Sequence, residues 1–177
     1  LSFVKTSGQA ASAELLQSRK KTKIADIGIR PATASDIDNI ALLAQVVWVT
    51  TYAKEGISTA FSRYVSGAFS CDTLLHEFKN NHLIVAEREQ CLLGYALLEQ
   101  NTAELKTLYV LPQLKGQGVG TALVRYCQQI SVKPLWLTCW EGNTGALAFY
   151  QKLQFSVAGE VDFILETQRY RNIRLTL

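Results

Sequence analysis

The run Gln113-Leu114-Lys115-Gly116-Gln117-Gly118-Val119-Gly120-Thr121 places three glycines at alternate positions, between an apolar strand-like segment and a helix-like one. Without Cβ atoms the backbone there can come close to a ligand. A helix beginning just after it offers unpaired N–H groups and the positive end of its dipole, so an anion fits, and a phosphate or pyrophosphate is the natural guest. A glycine-rich turn that merely packs the helix tightly is the structural alternative. Two nucleotide loops can be tested against the string. A GxxxxGK[ST] phosphate loop is absent from the chain. The dinucleotide fingerprint GxGxxG fails at Thr121, which stands where the third glycine belongs, and Pro112 to Lys115 separate the strand from the glycines.

The elements that would position this loop follow from periodicity. Ile27 to Arg30 reads as a strand closed by Pro31. Ser35 and Asp38 resemble a capping box, and Ile37, Ile40, Ala41, Ala44, Val47 and Trp48 follow at helical spacing. Short helices are expected between Ile57 and Val65 and from an Asp72 cap through Phe78. His82 to Glu87, Leu92 to Glu99 and Ala103 to Leu111 are three strands, the first two joined by the turn Arg88-Glu89-Gln90. Val119, Leu123, Tyr126, Cys127 and Ile130 form one helical face after the glycines. Leu135 to Trp140 is a strand, Thr144 to Leu153 a helix, and strands near Phe155 to Leu165 and Tyr170 to Leu177 end the chain. This order implies an α/β domain of the α+β kind: one central mixed sheet of six to seven strands flanked by helices, antiparallel first and then crossing over through βαβ.

Gln113-x-x-Gly116-x-Gly118 matches the (Arg/Gln)xxGx(Gly/Ala) signature of the GNAT N-acetyltransferase superfamily. Leu108-Tyr109-Val110-Leu111-Pro112 resembles the strand that leads into that signature. Trp140-Glu141-Gly142-Asn143, with Ala146, Ala148, Phe149, Tyr150, Leu153 and Phe155, resembles the family's second motif. Gln154-Phe155 departs from the usual Gly-Phe, which touches a turn rather than chemistry. The resemblance covers Ile27 to Leu177 in element order and residues 103 to 155 in motif detail.

The resemblance implies acetyl-CoA in a gap between the Ala103–Leu111 and Leu135–Trp140 strands. Backbone amides of Lys115, Gly116, Gln117, Gly118, Val119, Gly120 and Thr121 would hold the pyrophosphate. Leu108, Tyr109 and Val110 would pair with the pantetheine arm as an added strand does, and the Val110 amide would stabilise the thioester oxyanion. Asn143 would contact the cofactor arm, as a helix N-cap, or both. By the same resemblance Glu104 stands where relatives carry a general base, with a solvated strand-end carboxylate as the alternative. A base matters because a lysine-like amine of pKa ~10.4 lies about 3.4 units above pH 7, about 4.6 kcal/mol, against about 1.4 kcal/mol for an α-amine. Tyr150 falls where relatives place a general acid near the CoA sulfur, with a core tyrosine as the alternative. The first helices, which carry Trp48, Tyr52 and Phe61, would roof the acceptor site, where Tyr52 and Glu55 are better placed than Trp48, which continues the core stripe.

The expected activity is therefore acetyl transfer from acetyl-CoA to a primary amine, by direct attack in a ternary complex. The acceptor is a small molecule or a peptide or protein amine. A non-catalytic acyl-CoA-binding module and an acyltransferase using a longer chain are the alternatives. A homodimer is compatible with family habit.

Composition narrows the remaining classes. The 177 residues are 48% hydrophobic and 19% charged, a globular balance for one domain. The net charge of +3 is concentrated in Arg19, Lys20, Lys21 and Lys23, which disfavours a broad nucleic-acid-binding face. Residues 1–25 read as a flexible tail and 26–177 as the domain. Cys71, Cys91, Cys127 and Cys139 form no CxxC pair, so no metal site is expected, and buried reduced thiols are the reading. No apolar run reaches the ~20 residues a membrane span needs, and the expected compartment is the cytoplasm.

Overall fold

The computed structural model describes residues 27–165 and 168–177, so the expected tail at 1–25 lies outside the described residues. In chain order the elements are β1 (Gly28–Pro31), a 3-10 turn (Ala34–Asp36), α1 (Ile37–Tyr52), α2 (Thr59–Ala68) and α3 (Cys71–Asn80). Strands β2 (His82–Arg88), β3 (Cys91–Leu98) and β4 (Leu105–Val110) follow, then α4 (Val119–Ile130), β5 (Trp136–Trp140), α5 (Thr144–Lys152), β6 (Ser156–Leu165) and β7 (Gln168–Thr176).

The continuous apolar run of β2 is explained by its two covered faces. Leu83 and Val85 point into one core with Ile40, Trp48, Tyr95 and Leu97, under α1 to α3. Ile84 and Ala86 point into the other with Leu98, Leu105, Leu123 and Val124, under α4. A strand buried on both sides has no polar face to alternate with.

The seven strands form two sheets. β1-β2-β3-β4 is antiparallel throughout, and β5-β7-β6 is a second antiparallel set. Where one continuous mixed sheet was expected, β4 and β5 meet at a single parallel bridge, Glu104 with Trp136. The Trp136 amide donates to the Ala103 carbonyl at 3.2 Å, and its indole N–H donates to the Thr102 carbonyl at 2.9 Å. Beyond this apex the strands diverge. The cause is a bulge: Leu98 pairs with Leu105 but Leu97 with Thr107, so Lys106 is an extra residue that bends β4 away.

The helix starts differ from expectation in detail. The box preceding α1 is Thr33 with Asp36, not Ser35 with Asp38: the Asp36 carboxylate accepts from the Thr33 amide at 2.7 Å and hydroxyl at 2.9 Å. Both pairs share the spacing, and Arg30 on β1 decides between them by reaching Asp36 at 2.8 Å and Glu87 at 2.7 Å. α3 is capped by Ser70 rather than Asp72, its hydroxyl accepting from the Thr73 amide. All four thiols are free, but Cys71 and Cys91 are exposed, and only Cys127 and Cys139 are buried as expected. No helix among the described residues is long and apolar enough to cross a membrane.

Candidate active site

The divergence of β4 from β5 opens a cavity of about 1760 Å³ that runs from the glycine loop past both strands to α1 and α2. Pockets for one drug-sized ligand hold roughly 300–1,000 Å³, so this one has room for two reactants side by side.

At one end lies the loop. Gly116 and Gly118 have φ of 79° and 88°, the left-handed region where side chains are strained, and Gly118 is the N-cap of α4. Gly120 packs closely under Phe149: a Cβ there would sit 3.2 Å from Cζ of Phe149, tighter than an ordinary contact. The first helical bond is that of the Ala122 amide to the Gly118 carbonyl at 2.9 Å. The amides of Gly116, Gly118, Val119, Gly120 and Thr121 have no backbone acceptor, while those of Lys115 and Gln117 close turns onto Pro112 and Leu114. Five free donors at a helix N-terminus fit a pyrophosphate.

Along β4 the Leu111 amide donates to the Leu93 carbonyl. Because partners alternate in an antiparallel ladder, Tyr109 bonds toward β3, and Leu108 and Val110 turn their N–H and C=O groups toward the wedge. No strand covers them there, since β5 has already departed.

Tyr150 on α5 is buried, with its ring against Phe149 and Phe155. Its hydroxyl makes no hydrogen bond to protein, yet no fully buried side-chain polar atom among the described residues lacks a partner. The hydroxyl therefore opens into the cavity that the residue lines. Burial, reinforced by Cys139 and Tyr52 nearby, pushes its pKa far above the ordinary phenol, so it stays protonated. Asn143 lines the same wall and caps α5, its side-chain oxygen accepting from the Ala146 amide at 3.3 Å. Burial pushes the Cys139 thiol up to about 11, so it too stays protonated at neutral pH.

All the sequence-derived candidates line this cavity except Glu104 and Glu55. Glu104 stands at the closed apex, on the bridge with Trp136, and partial burial raises its pKa, offset by Lys106. The carboxylate that does reach the wall is Glu77, and it is already paired with Lys106 at 2.9 Å. Tyr52 lines the cavity as expected, whereas Glu55 is exposed and does not. Trp48 is core, as its spacing implies, and reaches the cavity too: its indole N–H donates to the Tyr109 hydroxyl at 2.8 Å. Tyr64, Phe163, Tyr170 and Asn172 were not singled out by sequence. Of these only Tyr64, one helical turn beyond Phe61, left a trace that could have found it.

The two sheets thus part beyond a parallel bridge, and a helix start with free amides stands at the mouth of the split. The model of the acetyltransferase (GNAT) family matches residues 49–155, and the chain belongs to that family. It is 26% identical over 154 residues to a spermidine N(1)-acetyltransferase of Thermoplasma acidophilum, covering 79% of this chain and 96% of that protein. The crystal structure of PaiA N-acetyltransferase from the same organism, in complex with coenzyme A, is similar with a TM-score of 0.69 and 21% identity, covering 83% of this chain and 97% of that one. The ribosomal-protein-S18-alanine N-acetyltransferase of Escherichia coli is similar at a TM-score of 0.64 and 19% identity, covering 85% and 92%. The chain is thus a GNAT-type N-acetyltransferase, and no group of three or more metal-ligating side chains occurs among the described residues.

Proposed function

We propose that this enzyme transfers the acetyl group of acetyl-CoA to a primary amine by direct attack in a ternary complex. The observation that carries the reading is the Tyr150 hydroxyl, without a protein partner and open to the cavity that Val110 also lines. The relatives named for spermidine and for a ribosomal-protein alanine both act on amino nitrogen, which supports an amine acceptor.

In the reaction the amine nitrogen bonds to the thioester carbonyl carbon, the carbon–sulfur bond breaks, nitrogen gives up a proton and sulfur takes one. The five free amides of the loop bind the pyrophosphate. Leu108 and Val110 hold the pantetheine arm by strand-like pairing. The Val110 N–H donates to the carbonyl oxygen as charge develops on it. Tyr150 donates a hydrogen bond to the departing sulfur. A raised phenol pKa makes complete transfer to a thiolate of pKa ~8.5 uphill, so hydrogen bonding rather than full protonation is its role. Asn143 fixes the start of α5 and with it Tyr150. No cysteine nucleophile is needed, since Cys139 is held as the unreactive thiol. Glu104, at the apex, acts on the amine only through solvent or by its charge.

Because the Tyr150 hydroxyl bonds nothing in the protein, Tyr150→Phe leaves the fold intact. It is expected to lower kcat about 100-fold in a thiol-release assay, with acetyl-CoA affinity unchanged. Cys139→Ala is expected to keep activity within about threefold, as direct attack requires. Full activity in Tyr150→Phe, or none in folded Cys139→Ala, would overturn the mechanism.

A further inference from the structure

Six aromatic rings close a circuit beside the reaction point. Trp48 lies 4.4 Å from Tyr52 between centroids, Tyr52 5.6 Å from Trp140, and Trp140 6.4 Å from Tyr170. Tyr170 is 6.1 Å from Phe163, Phe163 5.8 Å from Tyr64, and Tyr64 4.8 Å from Trp48. They come from α1, α2, β5, β6 and β7, and all six line the cavity. Tyr52 and Tyr150 line the same cavity, so the circuit shares its space with the hydroxyl that meets the leaving sulfur.

Charge on the same walls is one-sided. Glu77 is the single carboxylate among the described residues lining the cavity, and Lys106 already holds it. Of the lining cations, Lys106 is the partner of Glu77 and Lys115 belongs to the glycine loop, so no carboxylate of the described lining is left to pair an ammonium group. Burying extra ammonium groups without carboxylate partners is unfavourable, and cation–π contacts return only about 0.5–2 kcal/mol each. An aromatic or apolar group, by contrast, packs edge or face against such rings with no charge to compensate. The apolar surroundings also favour the neutral form of a single amine, which is the form that attacks.

We infer that the aromatic circuit is the acceptor subsite, and that it selects a small monoamine carried on an aromatic or apolar group over a polyamine. This rests on the acetyl-transfer reading above. The experiment compares kcat/KM for 2-phenylethylamine, spermidine and a peptide with an N-terminal phenylalanine, using the full chain and acetyl-CoA. Calorimetric binding of acetyl-CoA is measured in parallel. Phenylethylamine is expected to exceed both others by at least tenfold. Phe163→Ala is expected to raise its KM about tenfold while acetyl-CoA binding holds. Preference for spermidine or the peptide overturns the inference. So does an unchanged KM in Phe163→Ala, or acetyl-CoA binding with no turnover of phenylethylamine. Absence of acetyl-CoA binding would instead defeat the underlying reading.

Discussion

Two side chains show how burial and partners set chemistry one residue at a time. Tyr150 has its ring packed between Phe149 and Phe155 and its hydroxyl left over for a ligand, so burial keeps it a donor. Asp36 is the opposite case: buried, but held by Arg30 and by the Thr33 amide and hydroxyl, so its pKa falls well below the usual carboxylate range. A carboxylate depressed in the folded state adds stability above its unfolded pKa near 3.9 and loses it as pH falls toward the lower folded value. The urea midpoint is therefore expected to drop between pH 5 and pH 3, and Asp36→Asn to flatten that drop while lowering the midpoint at pH 5. Equal pH slopes in the two proteins would contradict the assignment. His76 and His82 line no part of the cavity.

At the scale of elements, α1 and α4 were legible because their buried residues recur at helical spacing, and α5 followed from its motif. The wedge between β4 and β5 was legible only through family resemblance. Its cause is one bulged residue, Lys106, and one bridge, neither of which has a sequence pattern. The aromatic circuit was illegible for a different reason: its members are scattered over five elements, and Phe163 and Tyr170 become neighbours only by the register of a hairpin. The cap before α1 was misplaced because Thr33 and Ser35 each precede an aspartate by three residues, and only the tertiary contact with Arg30 separates them. The turn where Gln154 replaces the usual glycine carries a measurable cost. Gln154 has φ of 69° and is exposed. A left-handed non-glycine residue costs roughly 1–2 kcal/mol, against roughly 0.5–1 kcal/mol of extra chain entropy for glycine. Gln154→Gly is expected to stabilise the domain by about 0.5–1 kcal/mol, raising Tm by about 1–4 °C. An unchanged or lower Tm in calorimetric melting would show the turn to be unstrained.

Across the whole molecule, two cores do separate work. The core under α4 fixes the glycine loop and β4 against each other through Val119, Leu123, Leu105 and Leu98. The core under α1 to α3 carries Trp48 and Val65, and with them Tyr52 and Tyr64, to the far side of the cavity. The sheet split joins the two halves, so one continuous space touches both the pyrophosphate cradle and the aromatic circuit. The central claim is that this space is built for acetyl-CoA, and calorimetric titration of the full chain with acetyl-CoA, CoA and NADH tests it most directly. Saturable one-to-one binding of acetyl-CoA and CoA, with none of NADH, is the predicted result. Failure of both CoA compounds to bind would contradict the account, because the free amides of the loop would then have no ligand to explain them.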